Sequence, residues 1–126
     1  MGKFDTAIDQ VTKRFLGRHL WVVTATLKVD RDRLGPFLDE HITEMLKLEE
    51  EGHVIAAGPF LDAAGANTGT GMFILSAPDR KSAERLVARD PFHREGLRDY
   101  EIREWIMNVG RWSMVVRLSS QTAEIL

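Results

Sequence analysis

Four apolar residues in a row, Met72-Phe73-Ile74-Leu75, lie between the glycine-rich stretch "GANTGTG" and the helix breaker "SAP". A strand turns successive side chains to opposite faces, so this run makes a sheet apolar on both sides. An earlier strand, "HLWVVTATLKV", places Trp21, Val23, Ala25 and Leu27 in one row and Val22, Thr24 and Thr26 in the other. A sheet of this kind needs cover on both faces.

The flanking segments supply cover for one face. In "RLGPFLDEHITEMLKLEEEG", Leu34, Leu38, His41, Met45 and Leu48 form a helical stripe, and Gly52 closes it. Asp30 or Asp32 caps its start. "HVIAAGPFLD" is a second strand that ends in Gly-Pro, and "TGMFILSAP" is the third. Asp79 or Ser82 opens a helix in which Ala83, Leu86 and Val87 point inward. "DYEIREWIMNV" is a fourth strand.

Residues 20–107 therefore run β-α-β-β-α-β, the split βαβ order of ferredoxin-like domains. The fold class is α+β, read as one domain over 1–126. The N-terminal helix 4–16 and a C-terminal extension 108–126, with a strand over 111–118 and a loose tail, are additions. Two helices cover one face of the sheet, and the simplest cover for the other is a second copy of the chain. The expected assembly is a homodimer packed sheet to sheet, or a higher oligomer.

Composition narrows the function classes. Seventeen basic residues against nineteen acidic ones give a net charge of -2, so no nucleic-acid or anionic-membrane partner is implied. Cysteine is absent, which removes disulfides and thiolate metal sites. No apolar run reaches the roughly 18 residues of a membrane span, and "MGKFDTAIDQVTKRFLG" lacks the apolar core of a secretory signal. The expected location is the cytoplasm. No glycine-rich phosphate loop opens a helix and no nucleophile elbow is present.

Two residues break the pattern. His41 occupies a stripe position where an aliphatic side chain packs well, and a buried imidazole is costly unless its nitrogens are paired. It is either a half-buried histidine bonded to a backbone carbonyl or a general base or acid. Asp90 precedes Pro91 in "ARDPFHREGL", a favourable cap and first-turn pair that Gly96 would stop. The same aspartate, held rigid by the cap, can orient an imidazole. Gly58-Pro59 is either a tight turn or a close backbone approach to a ligand. His19, His53 and His93 lack metal-ligand spacing and read as surface residues.

These pieces occur together in a known order. A helix carrying His41, the Leu-x-x-x-Gly ending at Gly52, Gly58-Pro59, Gly71, Ser76, Asp90-Pro91-Phe92 and Tyr100-Glu101-Ile102 resemble the YciI-like (YCII-related) proteins over about residues 20–107. The resemblance implies a dimeric α/β-barrel related to muconolactone isomerases and other cofactor-free barrel enzymes. It implies a His41–Asp90 pair as catalytic residues, a pocket shaped by Gly58, Pro59 and Ser76, a small-molecule ligand, and neither metal nor cofactor.

The reading that follows is a cofactor-independent isomerase or lyase, of the kind used in aromatic-compound breakdown. The alternative is a non-catalytic ligand-binding or purely structural dimeric barrel. A paired His41 beside an open cavity favours the enzyme, an all-apolar cavity favours the binder, and a filled interior favours the structural dimer.

Overall fold

The computed structural model describes residues 2–125. The chain divides into two compact units, 19–106 on one hand and 1–18 with 107–126 on the other. The larger unit contains β1 (Arg18–Leu27, whose first residue belongs to the other unit), a 3-10 helix (Arg31–Phe37), α2 (Leu38–Glu50), β2 (Val54–Leu61), β3 (Asn67–Leu75), α3 (Arg80–Val87), α4 (Pro91–Arg94) and β4 (Arg98–Met107, whose last residue belongs to the other unit). The sheet order is β2-β3-β1-β4, with β3 antiparallel to both β1 and β2. That is the ferredoxin-like order expected from the element sequence.

Register explains which side chains meet. Trp21 lies opposite Leu75 and Val23 opposite Phe73, so these four share the face that carries the helices. They form the main core with Ala83, Val87 and Ile102. The Trp21 indole N–H donates to the Ala77 carbonyl at 3.0 Å, which satisfies the one polar atom of a buried ring. A second apolar cluster of Leu34, Phe92 and Leu97 packs beside the 3-10 helix. The opposite face pairs Val22 with Ile74 and Thr24 with Met72. Its side chains are only half-buried or exposed.

Caps fall where short polar side chains allow them. Asp30 accepts from the amide of Asp32, and Asp79 accepts from that of Ser82. The segment expected to be one helix is split: the turn containing Gly35-Pro36 is 3-10, and α-helix begins at Leu38. Proline lacks the N–H needed inside an α-helix.

The α2 stripe is less buried than its periodicity suggests. Leu48 is buried and Met45 partly so, but Leu38, Ile42 and Leu46 are exposed. The cause lies across from them in β2. Ala57 and Pro59, which lie opposite Phe73 and Gly71, are too short to reach the helix, so a cleft remains where a core would close.

The other unit holds α1 (Lys3–Thr12) and a hairpin of β5 (Met114–Arg117) with β6 (Thr122–Ile125). The helix ends earlier than the apolar spacing predicts, and the Thr12 hydroxyl turns back to the Ile8 carbonyl. The tail expected to be loose pairs instead, with Val115 opposite Glu124. Gln121 takes the left-handed conformation, φ 55°, that reverses the chain, and Arg117 pairs with Glu124 across the hairpin.

Gly71 has the closest surroundings of the glycines in the sheet. A Cβ there would lie 2.5 Å from the Gly58 carbonyl oxygen, a backbone atom of the neighbouring strand. Gly71→Ala should therefore cost about 1–3 kcal/mol, as overpacking does. Urea unfolding measures this, and a midpoint equal to wild type would mean that β2 moves away freely.

Candidate active site

The site is assembled by Asp90. As the residue before Pro91 it caps α4, its Oδ1 accepting the Phe92 amide at 2.9 Å. The same Oδ1 accepts from His41 Nδ1 at 2.9 Å. The Asp90 side chain is 1% exposed and that of His41 16%. Both readings of Asp90, cap and imidazole partner, hold at once. Because Oδ1 can only accept from the ring, Nδ1 carries a proton, and in the neutral imidazole the lone pair is therefore on Nε2. The His41 ring stacks on Phe92 with centroids 4.2 Å apart and planes inclined by 15°.

Burial pushes the Asp90 carboxyl up, but the hydrogen bond and charge of His41 and the Phe92 amide outweigh it and leave the group below the ordinary carboxylate value. Ion pairs flank the contact on both sides. Arg94 forks onto Glu40, and Arg89 reaches Glu44 and Glu51. Pairs at the surface such as Arg94–Glu40 contribute about 0–1 kcal/mol each, and with the part-buried Arg89–Glu44 pair they link α2 to residues 89–94.

His41 lines a cleft of about 730 Å³ between α2, the 3-10 helix, β2 and β3. A volume of that size suits a small ligand. The lining is mostly apolar, with Leu38, Ile42, Met45 and Phe73 among its walls. Gly58 and Pro59 line it too. Ser76 does not. It follows the last residue of β3, its amide bonds to the His53 carbonyl, and its side chain borders a separate small depression with His53 and Ser82.

Sequence reasoning missed Arg98 and misplaced His93. Arg98 lines the cleft, donates from Nε and Nη2 to the Gly69 carbonyl at 3.0 and 2.7 Å, and lies over the Phe92 ring at 4.5 Å. Burial draws its guanidinium below the ordinary value, with the Asp90 charge acting against that. The available signal was parity. Arg98 shares a strand face with Ile102, a core residue, so a charge there is as anomalous as His41 on its stripe. His93 is not on the surface: its side chain is 1% exposed, Nδ1 lies 3.2 Å from the Val87 carbonyl, and its ring meets Tyr100 edge-on at 4.8 Å. Asp90 Oδ2 and His93 Nε2 are buried without a protein hydrogen-bond partner. Among the described residues no group of three or more His, Asp or Glu gathers as metal ligands. No helix there is long and apolar enough to cross a membrane.

The sheet order, the helical layer and the cleft beneath α2 define a ferredoxin-like α+β protein. The chain belongs to the YCII-related domain family, whose model matches residues 20–106. Its fold is similar to that of the 5-chloro-2-hydroxyhydroquinone dehydrochlorinase TftG from Burkholderia phenoliruptrix, solved in complex with 2,5-dihydroxybenzoquinone. The TM-score is 0.59 at 17% identity, over 68% of this chain and 92% of that one. No curated protein matches the chain.

Burial pushes the His93 imidazole below its ordinary value of 6.5, and the nearby Asp90 charge does not make up the difference. On acidification below 6.5 the unfolded chain takes up a proton that folded His93 refuses, so stability falls with pH until the folded value is passed. Asp90, whose ordinary value is 3.8, is also depressed. Its contribution is present above 3.8 and is lost only in more acid solution. Urea midpoints should therefore decline as pH is lowered from 7.5 to 5, and His93→Gln should flatten that decline. Parallel slopes in the two proteins would remove His93 as its cause.

Proposed function

We propose that this chain is a cofactor-independent, cytoplasmic enzyme of isomerase or lyase type that acts on a small ring compound from aromatic breakdown. The observation that carries the reading is the His41–Asp90 hydrogen bond of 2.9 Å at the wall of an open cleft. His41 Nε2 takes a proton from a ring carbon, and the electron pair moves into an adjacent carbonyl as an enolate. The imidazolium then returns the proton to another ring atom, which is isomerisation. Alternatively the enolate expels a leaving group from a neighbouring carbon, which is elimination. Asp90 holds the required tautomer and offsets the charge His41 acquires. Gly58 and Pro59 shape the wall facing α2. The dehydrochlorinase with the similar fold supports a ring compound as the substrate class. A purely structural role is less well supported, because the interior is open rather than filled.

The test separates capping from chemistry. Asn can accept both the Phe92 amide and the His41 proton through one oxygen but carries no charge. Asp90→Asn should lose about 1 kcal/mol or less, in line with a retained cap, and lose turnover of hydroxylated quinols or lactones found by screening. Asp90→Ala should lose turnover and about 3–5 kcal/mol, the range for breaking a buried pair. Full activity in Asp90→Asn would reduce Asp90 to a cap.

The active form in this reading is a homodimer. Its support is the second sheet face, where Val22, Ile74 and Met72 lie side by side, partly uncovered. Sedimentation equilibrium at micromolar concentration should give twice the monomer mass, and Ile74→Glu should give monomer, since an unpaired buried charge is costly. A monomeric wild type would sink the dimer.

A further inference from the structure

Arg98 is a half-buried cation with no carboxylate oxygen within 4 Å among the described residues, unlike Arg89 and Arg94 nearby. Two of its nitrogens, Nε and Nη2, are tied to the Gly69 carbonyl, and its plane lies over Phe92. Nη1 alone has no protein partner among the described residues. A guanidinium held this firmly inside a cleft, with the Asp90 charge near it but no carboxylate in direct contact, is set to receive an anion.

Neighbouring groups reinforce that reading. Arg31 also lines the cleft, and its Nη1 donates to the Asn67 carbonyl at 2.6 Å. Two guanidinium groups thus anchor on carbonyls two residues apart at the start of β3. Gly69 makes this packing feasible. It sits at φ +77°, and a Cβ there would approach the Arg31 side chain to 2.9 Å. Asp32 and Glu49 line the cleft as well, but neither comes within 4 Å of a guanidinium nitrogen. His41 and Arg98 both line the cleft, so a bound ring can present one edge to the base and another to the cation.

We propose that Arg98, assisted by Arg31, binds the oxyanion of a small planar ring ligand, a ring carboxylate or a phenolate, and so sets the specificity of this cleft for ionised ring compounds. The proposal deepens the reading of a proton-transfer cleft, and its binding half stands apart from turnover.

Calorimetry with matched probes tests it. Benzoate against benzamide changes charge at nearly constant shape, and 4-nitrophenolate against nitrobenzene does the same for a phenolic oxygen. Wild type should prefer the ionised member of at least one pair by about tenfold or more, the size of a charge-assisted hydrogen bond. The pair that shows the preference identifies the source of the oxyanion. Arg98→Gln should abolish the preference, Arg31→Gln should reduce it, and Arg98→Lys should keep part of it. His41→Gln should keep it while losing any turnover, which distinguishes a failed enzyme reading from a failed binding site. If Arg98→Gln does not fold, the Arg98 Nε–H resonance of wild type gives the answer: it should move on adding the ionised probe and not the neutral one. No preference in either pair, a preference that survives Arg98→Gln, or an unmoved resonance would each overturn the assignment.

Discussion

A buried carboxylate must be paired, and that requirement at Asp90 organises this protein. Leaving such a charge unpaired costs several kcal/mol, so the fold has to bring donors to it. One donor is local, the Phe92 amide of the turn that Asp90 itself caps. The other is His41, 49 positions earlier in the chain. Meeting both fixes α2 against α4, stacks the imidazole on Phe92, and commits Nδ1 of the ring so that only Nε2 is left for chemistry. The flanking Glu40–Arg94 and Glu44–Arg89 pairs lie on the same helix face and repeat the constraint at the surface, where each is individually weak.

The cleft comes from the opposite cause, an absence of bulk. A helix packed on a sheet normally closes against large side chains from both sides. Here β2 contributes Ala56, Ala57, Gly58 and Pro59, and β3 contributes Gly69 and Gly71. The strands approach one another closely at Gly71 and Gly58, which pulls backbone together while leaving room above it. Leu38, Ile42 and Leu46 on α2 therefore face a gap. Their exposure follows from the pocket itself and does not indicate a badly packed helix.

Much of this was legible in the sequence. Strand parity and helical spacing specify the element order, because β1 and α2 show their own periods clearly. His41 and Asp90 stood out as polar residues at positions with an apolar or capping demand, and the structure joins them. What was hidden depends on distance through space. Nothing local to "RDYEI" says that Arg98 reaches Gly69, since that contact needs β4 and β3 on either side of β1. His93 looked like surface because a single helical turn gives no period from which to infer a buried side. The burial of α2 was overestimated because periodicity reports which face turns inward, and the small residues of β2 decide whether anything meets it. Ser76 was carried by resemblance alone, and its position beyond the end of β3 takes it out of the cleft.

Strand alternation gives the two rows of β3 different tasks. Gly69, Gly71, Phe73 and Leu75 point toward the helices, where the first three line the cleft and the last belongs to the core. Thr70, Met72 and Ile74 form the other row, the one proposed to meet a second copy. Since adjacent residues point to opposite faces, a substitution at Thr70 or Ile74 leaves the cleft row in place, whereas Met72 also borders the cleft. The cleft side is the more constrained of the two. Gly71 cannot accept a Cβ without moving backbone, and Gly69 combines a left-handed φ with a crowded neighbour and a carbonyl that holds Arg98. Variation in ligand preference is therefore expected to enter through the α2 side chains and β2, where space is free. The His41–Asp90–Phe92 cluster and the glycines beneath it stay fixed by burial and contact.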